Sequence, residues 1–218
     1  ADALMATCPG AHAVVGDLRR SEGWPDAARA ADAVVHLAAQ KNGNLHEQLA
    51  GTVATTDRLL HELGPTWAGR FVHASSFSVY DYRKLSPGDT LDERSPVYDP
   101  VFEANPYSQT KVLQEQLVRQ YAATSAASVV VLRIAGVYGH GAVWNQGMAI
   151  RFSDQLGVMF APGATMKLVH LDNVVSAVVL AVAVDRIDDG PINVVDDDLP
   201  SFRAFAKQLR AAGCTVPH

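Results

Sequence analysis

Strand-like and helix-like segments alternate along this 218-residue chain, and that alternation limits the fold more than any other feature. Short β-branched runs predict strands buried on both faces at 32–39 (DAVVHLAA), 70–76 (RFVHASS) and 128–136 (SVVVLRIAG). Segments with apolar residues at helical spacing follow them, and the two longest lie at 45–63 and 106–124. Buried strands joined through helices form mostly parallel sheets. The sequence therefore predicts an α/β protein with a doubly wound, mostly parallel sheet.

Shorter segments extend the same pattern towards both ends of the chain. We expect further strands at 12–17, 166–171 and 190–196. The longest apolar run, 174–184, is too short to span a bilayer and predicts a buried helix. Asp172 stands just before this run and is the expected cap of the helix.

Composition excludes several classes of function. The net charge of −5 offers no basic surface for nucleic acid, and we expect neither a nucleic-acid nor a membrane partner. Cys8 and Cys214 stand near opposite ends without metal-ligand spacing, a usage typical of a reducing cytoplasm. No cluster of residues has the spacing of a metal site, and His36 and His73 are expected to be satisfied structural residues within strands.

Two Tyr–Lys pairs with a spacing of four residues are candidates for acid/base chemistry. Tyr80 and Lys84 start a polar connection that a Pro-Gly pair interrupts, so nothing there fixes the two side chains on one face. Tyr107 and Lys111 start a predicted helix of several turns, in which residues i and i+4 face the same way. A nearby ammonium favours the phenolate and lowers the pKa of a tyrosine from about 10. The second pair is therefore the expected catalytic pair.

Five motifs in a fixed order resemble a known family. The segments VVHLAA, ASSFSVY, PYSQTK, LRIAGVYG and LVHLDNVVSAV resemble the extended short-chain dehydrogenases/reductases, the NAD-dependent epimerase/dehydratase group. The resemblance covers about Ala13 to Phe205. It implies a Rossmann-like cofactor-binding core over 1–138 and a small C-terminal substrate lobe over 139–218, with elements around 166–196 returning to the core.

The resemblance also implies a catalytic trio. Tyr107 would be the acid/base, and Lys111 its electrostatic partner that also holds the cofactor ribose. The catalytic hydroxyl of the family stands three residues before the valine of the VY pair, which selects Ser76 over Ser75. Without the family, the more economical interpretation of the two serines is a capped turn after a strand.

A set of strand-end residues is implied to bind NAD or NADP. Asp17 would accept a hydrogen bond from the adenine amino group, and Gln48 stands where the family often has an asparagine. The implied cofactor-binding residues are Asp17, Leu18, Leu37, Ala38, Ala39, Tyr107, Lys111 and Ile134.

The glycine-rich turn that holds the cofactor pyrophosphate in this family has no counterpart in residues 1–218. We expect that the first β-α-β unit is missing from this sequence, so that the fold is N-terminally incomplete; the alternative is a member that has lost dinucleotide binding. These residues alone are expected to bind NAD(P) poorly.

The leading functional hypothesis is an NAD(P)-dependent oxidoreductase or epimerase that transfers hydride at a secondary alcohol or ketone carbon of a small molecule. A nucleotide-sugar epimerase in the strict sense is an alternative, which Ala135 weakens because sugar epimerases often carry an asparagine in that region. A non-catalytic cofactor-sensing protein is a second alternative, but it has no need for Ser76, Tyr107 and Lys111 together. A homodimer is a further expectation.

Overall fold

The chain divides into two compact units, Ala1–Val131 and Leu132–His218. The predicted functional boundary after residue 138 falls a few residues later and stays a prediction. The computed structural model describes residues 8, 10–86, 88–99, 104–139, 150–151, 157–158, 163–185, 187 and 190–213.

The first unit alternates helices and strands as the sequence predicts. Its elements are α1 (Pro25–Arg29), β1 (Ala33–His36), α2 (Leu45–Gln48), a π-helical turn (Leu49–Val53), α3 (Ala54–Leu63), β2 (Arg70–Ser76), two 3₁₀ turns (Phe77–Val79 and Tyr82–Lys84), α4 (Pro106–Thr124) and β3 (Ser128–Ile134), which runs on into the second unit.

The sheet of the first unit has the order β1-β2-β3, and β1 pairs with β2 in parallel, with His36 opposite His73. Local signals define the flanking helices: Gly64, with a φ of +72°, ends α3, and the Asn105 side chain accepts a hydrogen bond from the Ser108 N–H to cap α4. An apolar core joins the helices to the sheet, and it consists of Trp24, Leu59, Leu60, Leu63, Trp67, Phe71, Val118, Tyr121 and Val131.

The second unit contains shorter strands and two helices. Its elements are the end of β3, β4 (Gly136–Tyr138), β5 (Ile150–Arg151), β6 (Gly157–Val158), β7 (Leu168–His170), α5 (Leu171–Ala183), β8 (Pro191–Val194) and α6 (Phe202–Ala211). Strand β4 pairs with β7 in parallel, β5 pairs with β6 in antiparallel fashion, and β3 neighbours β8. Met166, Leu168, Phe205, Ala206 and Leu209 form its core.

The predicted fold class is confirmed, because helices flank mostly parallel strands. No helix in the described part of the chain has both the length and the apolar character needed to cross a membrane. The predicted substrate lobe lies partly in 140–149, 152–156 and 159–162, which are outside the described residues.

The strand predicted at 12–17 is wrong, because residues 11–17 have no regular secondary structure. Val14 and Val15 are 52% and 85% exposed, and no ladder among the described residues includes them. A β-branched run becomes a strand only where a neighbouring strand takes its backbone hydrogen bonds.

The prediction of a buried apolar helix near 174–184 is also wrong in two respects. The helix α5 begins at Leu171, and His170 rather than Asp172 caps it, since His170 Nδ1 accepts a hydrogen bond of 3.3 Å from the Asp172 N–H. Ala181 is its buried residue, whereas Val179 and Leu180 are each 58% exposed. Apolar composition predicts burial only for the face that packs against the rest of the unit.

Candidate active site

The end of strand β2 and the start of helix α4 bring a serine and a tyrosine together. Ser76 is the last residue of β2, and Tyr107 is the second residue of α4. Ser76 lies close enough to Tyr107 to lower the pKa of its phenol. Ser76 Oγ also accepts a hydrogen bond of 3.1 Å from the Ser78 N–H, which fixes its position at the strand end.

The neighbouring serine has a different partner. Ser75 Oγ donates a hydrogen bond of 2.7 Å to Glu115 Oε2, and both side chains are buried. Arg119 forms an ion pair with the same carboxylate one turn further along α4. The Ser75 hydroxyl therefore links β2 to α4 through a hydrogen bond, and the Ser76 hydroxyl is the one that lies near Tyr107.

Lys111 lies one helical turn after Tyr107 as a buried cation, 3% exposed. Its ammonium donates to the Ala74 carbonyl at 2.7 Å and to Gln114 Oε1 at 2.7 Å. Burial, with a smaller effect of Lys41, lowers the pKa of Lys111 to about 8, although the nearby Glu115 opposes the shift. The amine therefore keeps its proton at neutral pH and loses it under mildly alkaline conditions.

The expected lowering of the tyrosine pKa is not found. Burial raises the pKa of Tyr107 above its ordinary value, and the nearby Ser76 only partly opposes that shift. The physical reason is burial of the phenol, because loss of solvation disfavours the charged phenolate. The predicted direction of the tyrosine pKa is therefore wrong, and the catalytic role of Lys111 stays a prediction.

Two histidines lie side by side under this site. The rings of His36 and His73 stack with centroids 5.8 Å apart. His36 Nε2 lies 2.8 Å from Thr56 Oγ1, which confirms the prediction of a satisfied structural histidine. The same prediction is wrong for His73, whose two ring nitrogens are buried without a hydrogen-bond partner. Burial lowers the pKa of His36 to about 4 and that of His73 well below its usual value.

Two of the predicted cofactor residues line a cavity of about 820 Å³ in the first unit. Asp17 and Leu18 lie on its wall, with Gly43, Gly51 and Thr55 among the other lining residues. This volume is in the range of ligand sites.

Asp17 already has a partner in this cavity wall. Its carboxylate accepts hydrogen bonds from Arg19 Nε at 3.0 Å and from Arg19 Nη2 at 2.8 Å. These hydrogen bonds hold the pKa of Asp17 at about 2. The expected contact of Asp17 with adenine stays a prediction.

The other predicted cofactor residues lie at the ends of β1 and β3. Leu37 is 64% exposed, Ala39 is half-buried, and the Ala38 carbonyl accepts a hydrogen bond of 3.2 Å from Gln114 Nε2. Ile134 is half-buried at the end of β3 and belongs to the second unit. Their contact with a cofactor stays a prediction.

Gln48, where the family often has an asparagine, carries a buried acceptor without a hydrogen-bond partner. Its Nε2 donates to the Gly43 carbonyl at 3.0 Å, whereas its buried Oε1 has no hydrogen-bond partner. Gly43, Glu47 and Gly51, which are close to Gln48 in sequence, line the cavity. A buried acceptor without a donor costs free energy, and a ligand hydroxyl or amine would relieve that cost. Gln48 itself is not among the residues that line this cavity, so its contact with a cofactor stays a prediction.

No group of three or more His, Cys, Asp or Glu side chains in the described part of the chain is arranged to hold a metal ion. The second unit has a separate cavity of about 530 Å³ next to α5 and β8, and residues of the predicted trio are not among those that line it.

Together these observations define an α/β protein of the Rossmann type with a serine, a tyrosine and a lysine near the end of one strand. The sequence profile of the NAD dependent epimerase/dehydratase family matches residues 3–195. The chain belongs to this family.

Individual relatives agree with that assignment. The human protein "Short-chain dehydrogenase/reductase family 42E member 1" (Homo sapiens) is 27% identical to this chain, over 94% of the chain and 57% of the relative. The protein of the same name from Macaca fascicularis is 26% identical and is covered to 48%. The chain thus spans about half the length of the curated relatives it matches.

Solved structures show the same fold. MoeE5 in complex with UDP-glucose and NAD is 25% identical, with a TM-score of 0.71 over 94% of this chain and 71% of that one. UDP-glucuronic acid 4-epimerase from Bacillus cereus is 19% identical, with a TM-score of 0.74 over 93% of this chain and 66% of that one.

Sequence reasoning missed two buried polar residues of the site. Gln114 and Glu115 follow Lys111 by three and four positions, so they share its face of α4. That spacing was the available signal, because a polar side chain on the apolar face of a helix needs a partner inside the protein.

Proposed function

We propose that the protein is an NAD-dependent oxidoreductase or epimerase that acts on a secondary alcohol or ketone. One observation carries this proposal: Ser76 lies close enough to Tyr107 to act on the phenol pKa, and the Lys111 ammonium donates to the carbonyl of Ala74, two residues before that serine. Family membership supports the choice of reaction class.

The proposed role of each side chain follows from its chemistry. Tyr107 Oη exchanges a proton with the substrate oxygen, because a phenol can both donate and accept a hydrogen bond. Ser76 Oγ binds the same oxygen and stabilises the charge that develops on it. Lys111 supplies a fixed positive charge on the same strand end, and the third hydrogen of its ammonium can bind a ligand. NAD, when bound, supplies the hydride acceptor.

The residues proposed to hold the cofactor are those named from the sequence, together with the orphaned acceptor of Gln48. NAD is favoured over NADP because MoeE5, at 25% identity, is in complex with NAD. We assign the protein to the cytoplasm from its cysteine usage, and a homodimer stays a prediction. The residues proposed as the NAD site are Asp17, Leu18, Leu37, Ala38, Ala39, Tyr107, Lys111 and Ile134.

A nucleotide sugar is the second candidate for the substrate. The observation in its favour is the similarity to MoeE5 in complex with UDP-glucose. Ala135, in the place where sugar epimerases often have an asparagine, argues for a wider search among alcohols and ketones. A substrate screen should therefore include UDP-glucose beside simple secondary alcohols and ketones.

The test compares four variants in the protein as its gene encodes it, with NAD and the substrate found in that screen. Tyr107→Phe removes the proposed acid/base, and kcat should fall by roughly 10²- to 10⁴-fold. Ser76→Ala removes a hydrogen-bond donor to the substrate oxygen, and kcat should fall by roughly 10²- to 10³-fold.

Two matched controls lie on the same elements. Ser75→Ala removes the hydroxyl that binds Glu115, and Tyr121→Phe removes a hydroxyl on the far part of α4 that donates to the Gly64 carbonyl at the end of α3. Both should keep kcat within a few-fold of wild type, with some loss of stability. Wild-type turnover by a folded Tyr107→Phe variant would contradict the proposal.

A further inference from the structure

We propose that Gln114 is a positioning residue that holds the Lys111 ammonium and the loop after β1 in one fixed geometry. Its side-chain carbonyl accepts from Lys111 Nζ at 2.7 Å, and its side-chain amide donates to the Ala38 carbonyl at 3.2 Å. This inference rests on the proposed function, since Lys111 and Ala38 are the residues proposed there to act and to bind cofactor.

The orientation of the Gln114 amide follows from its partners. An ammonium can only donate hydrogen bonds, so the group facing Lys111 must be the oxygen. A backbone carbonyl can only accept, so the group facing Ala38 must be the nitrogen. The opposite orientation would put two donors against each other at Lys111 and two acceptors against each other at Ala38. Both ends therefore specify the same orientation.

A second anchor fixes the amide inside the protein. Gln114 Nε2 lies 2.7 Å from Thr56 Oγ1, and the Thr56 hydroxyl lies 2.7 Å from the Thr52 carbonyl. Because the hydroxyl has one hydrogen and gives it to Thr52, it accepts from Gln114, and it also lies 2.8 Å from His36 Nε2. Gln114 Nε2 also lies 3.2 Å from His36 Nε2, and the tautomer of His36 decides whether that ring nitrogen donates or accepts.

The side chains of this hydrogen-bond network are shielded from solvent, which restricts them to one arrangement. Gln114 and Thr56 are 0% exposed, and Lys111 and His36 are each 3% exposed. A buried polar group that loses its partner keeps the full cost of desolvation, so alternative rotamers of Gln114 are unfavourable. The glutamine thus links Lys111, in the second turn of α4, to the first residues after β1.

Several charged or titratable groups act on Lys111 besides Gln114. Glu115 favours its charged form, and Lys41 disfavours it. His36 and His73 lie close enough for the lysine charge to lower the pKa of each. A test of Gln114 must therefore separate its effect from this background.

The test is an NMR titration of the Lys111 side chain in wild type, Gln114→Met and Gln114→Glu. The chain has only a few lysines whose resonances must be resolved, and they are Lys41, Lys84, Lys111, Lys167 and Lys207. The resonance of Lys111 is identified by its loss in Lys111→Arg. Gln116→Met is the matched control, because Gln116 is an exposed glutamine of the same helix.

The two Gln114 variants should shift the Lys111 titration in opposite directions. Wild type should titrate at a pKa of about 8. Methionine removes an acceptor that favours the charged amine, so the pKa should fall by about one unit. Glutamate adds a negative charge beside the amine, so the pKa should rise by about one unit or more. Gln116→Met should titrate as wild type does.

A second measurement needs no variant at Gln114. In wild type, the ¹⁵N shift of the Gln114 side-chain amide should follow the Lys111 titration with the same midpoint. An amide shift that stays flat through that titration would overturn the inference, as would equal titrations in wild type and the two Gln114 variants.

These readouts do not depend on turnover, so the two proposals fail separately. Shifted titrations without any turnover of the natural protein would leave Gln114 as a positioning residue for Lys111 and would refute the proposed function. Turnover whose pH profile is the same in wild type and Gln114→Met would refute the role of Gln114 and leave the function standing.

Discussion

Acid should destabilise this protein through His36, and the size of the effect follows from its burial. Burial, with a smaller effect of the Lys111 charge, lowers the pKa of His36 from 6.5 to about 4. In the unfolded chain the imidazole takes up its proton near 6.5, whereas in the folded chain it does so only near pH 4. The unfolded state therefore binds more protons between those two values, and stability is lost as the pH falls through that window.

The magnitude follows from the width of that window. One pKa unit corresponds to about 1.4 kcal/mol, so a shift from 6.5 to about 4 amounts to about 3 kcal/mol. The loss should be absent above pH 6.5 and complete near pH 4. His73, whose pKa burial also lowers, acts in the same direction.

The assay is urea unfolding, followed by circular dichroism at a series of pH values, in wild type and His36→Gln. A glutamine amide can donate or accept a hydrogen bond with Thr56, but it takes up no proton, so the variant should lose about 3 kcal/mol less across the window. His12→Gln replaces an exposed histidine and is the matched control. Equal pH dependence of the free energy of unfolding in wild type and His36→Gln would refute the reasoning.

Three further substitutions test the packing around the site, each by urea unfolding at neutral pH. His73→Leu removes two buried nitrogens that have no partner and should raise the free energy of unfolding by about 1 kcal/mol; a marked loss would contradict this. Asn105→Ala removes the side chain that accepts from the Ser108 N–H and should cost about 1 kcal/mol, whereas an unchanged stability would show that the cap is unimportant. Gly69→Ala would bring a Cβ to 2.7 Å from the Asp32 carbonyl and should cost at least about 1 kcal/mol, and a neutral effect would contradict that close approach.

The sequence predicted those elements that are defined by local signals and packed within one unit. Helix α4 begins at Pro106 as predicted, because an asparagine cap precedes a proline in the first helical position. Strand β2 has the predicted limits because its apolar residues pack between strands and helices. The run at 12–17 was predicted wrongly because a strand depends on a partner that local sequence does not reveal.

Some features of the candidate site were likewise predicted from the sequence, and others were not. The partnership of Ser76 with Tyr107 agrees with the order of the motifs, and their catalytic role stays a proposal. The tyrosine pKa was predicted wrongly because helical spacing specifies a face of the helix but not how deeply the phenol is buried. Gln114 was missed because its role depends on partners on β1 and α3 that are distant in sequence.

The most direct test of the central claim is a crystal structure of the natural protein with NAD and the alcohol or ketone that it converts. The decisive quantities are the distances from Tyr107 Oη and Ser76 Oγ to the reacting oxygen of the substrate. We predict that both hydroxyls lie about 2.6 to 3.2 Å from that one oxygen. A reacting oxygen bound away from both hydroxyls would contradict the account.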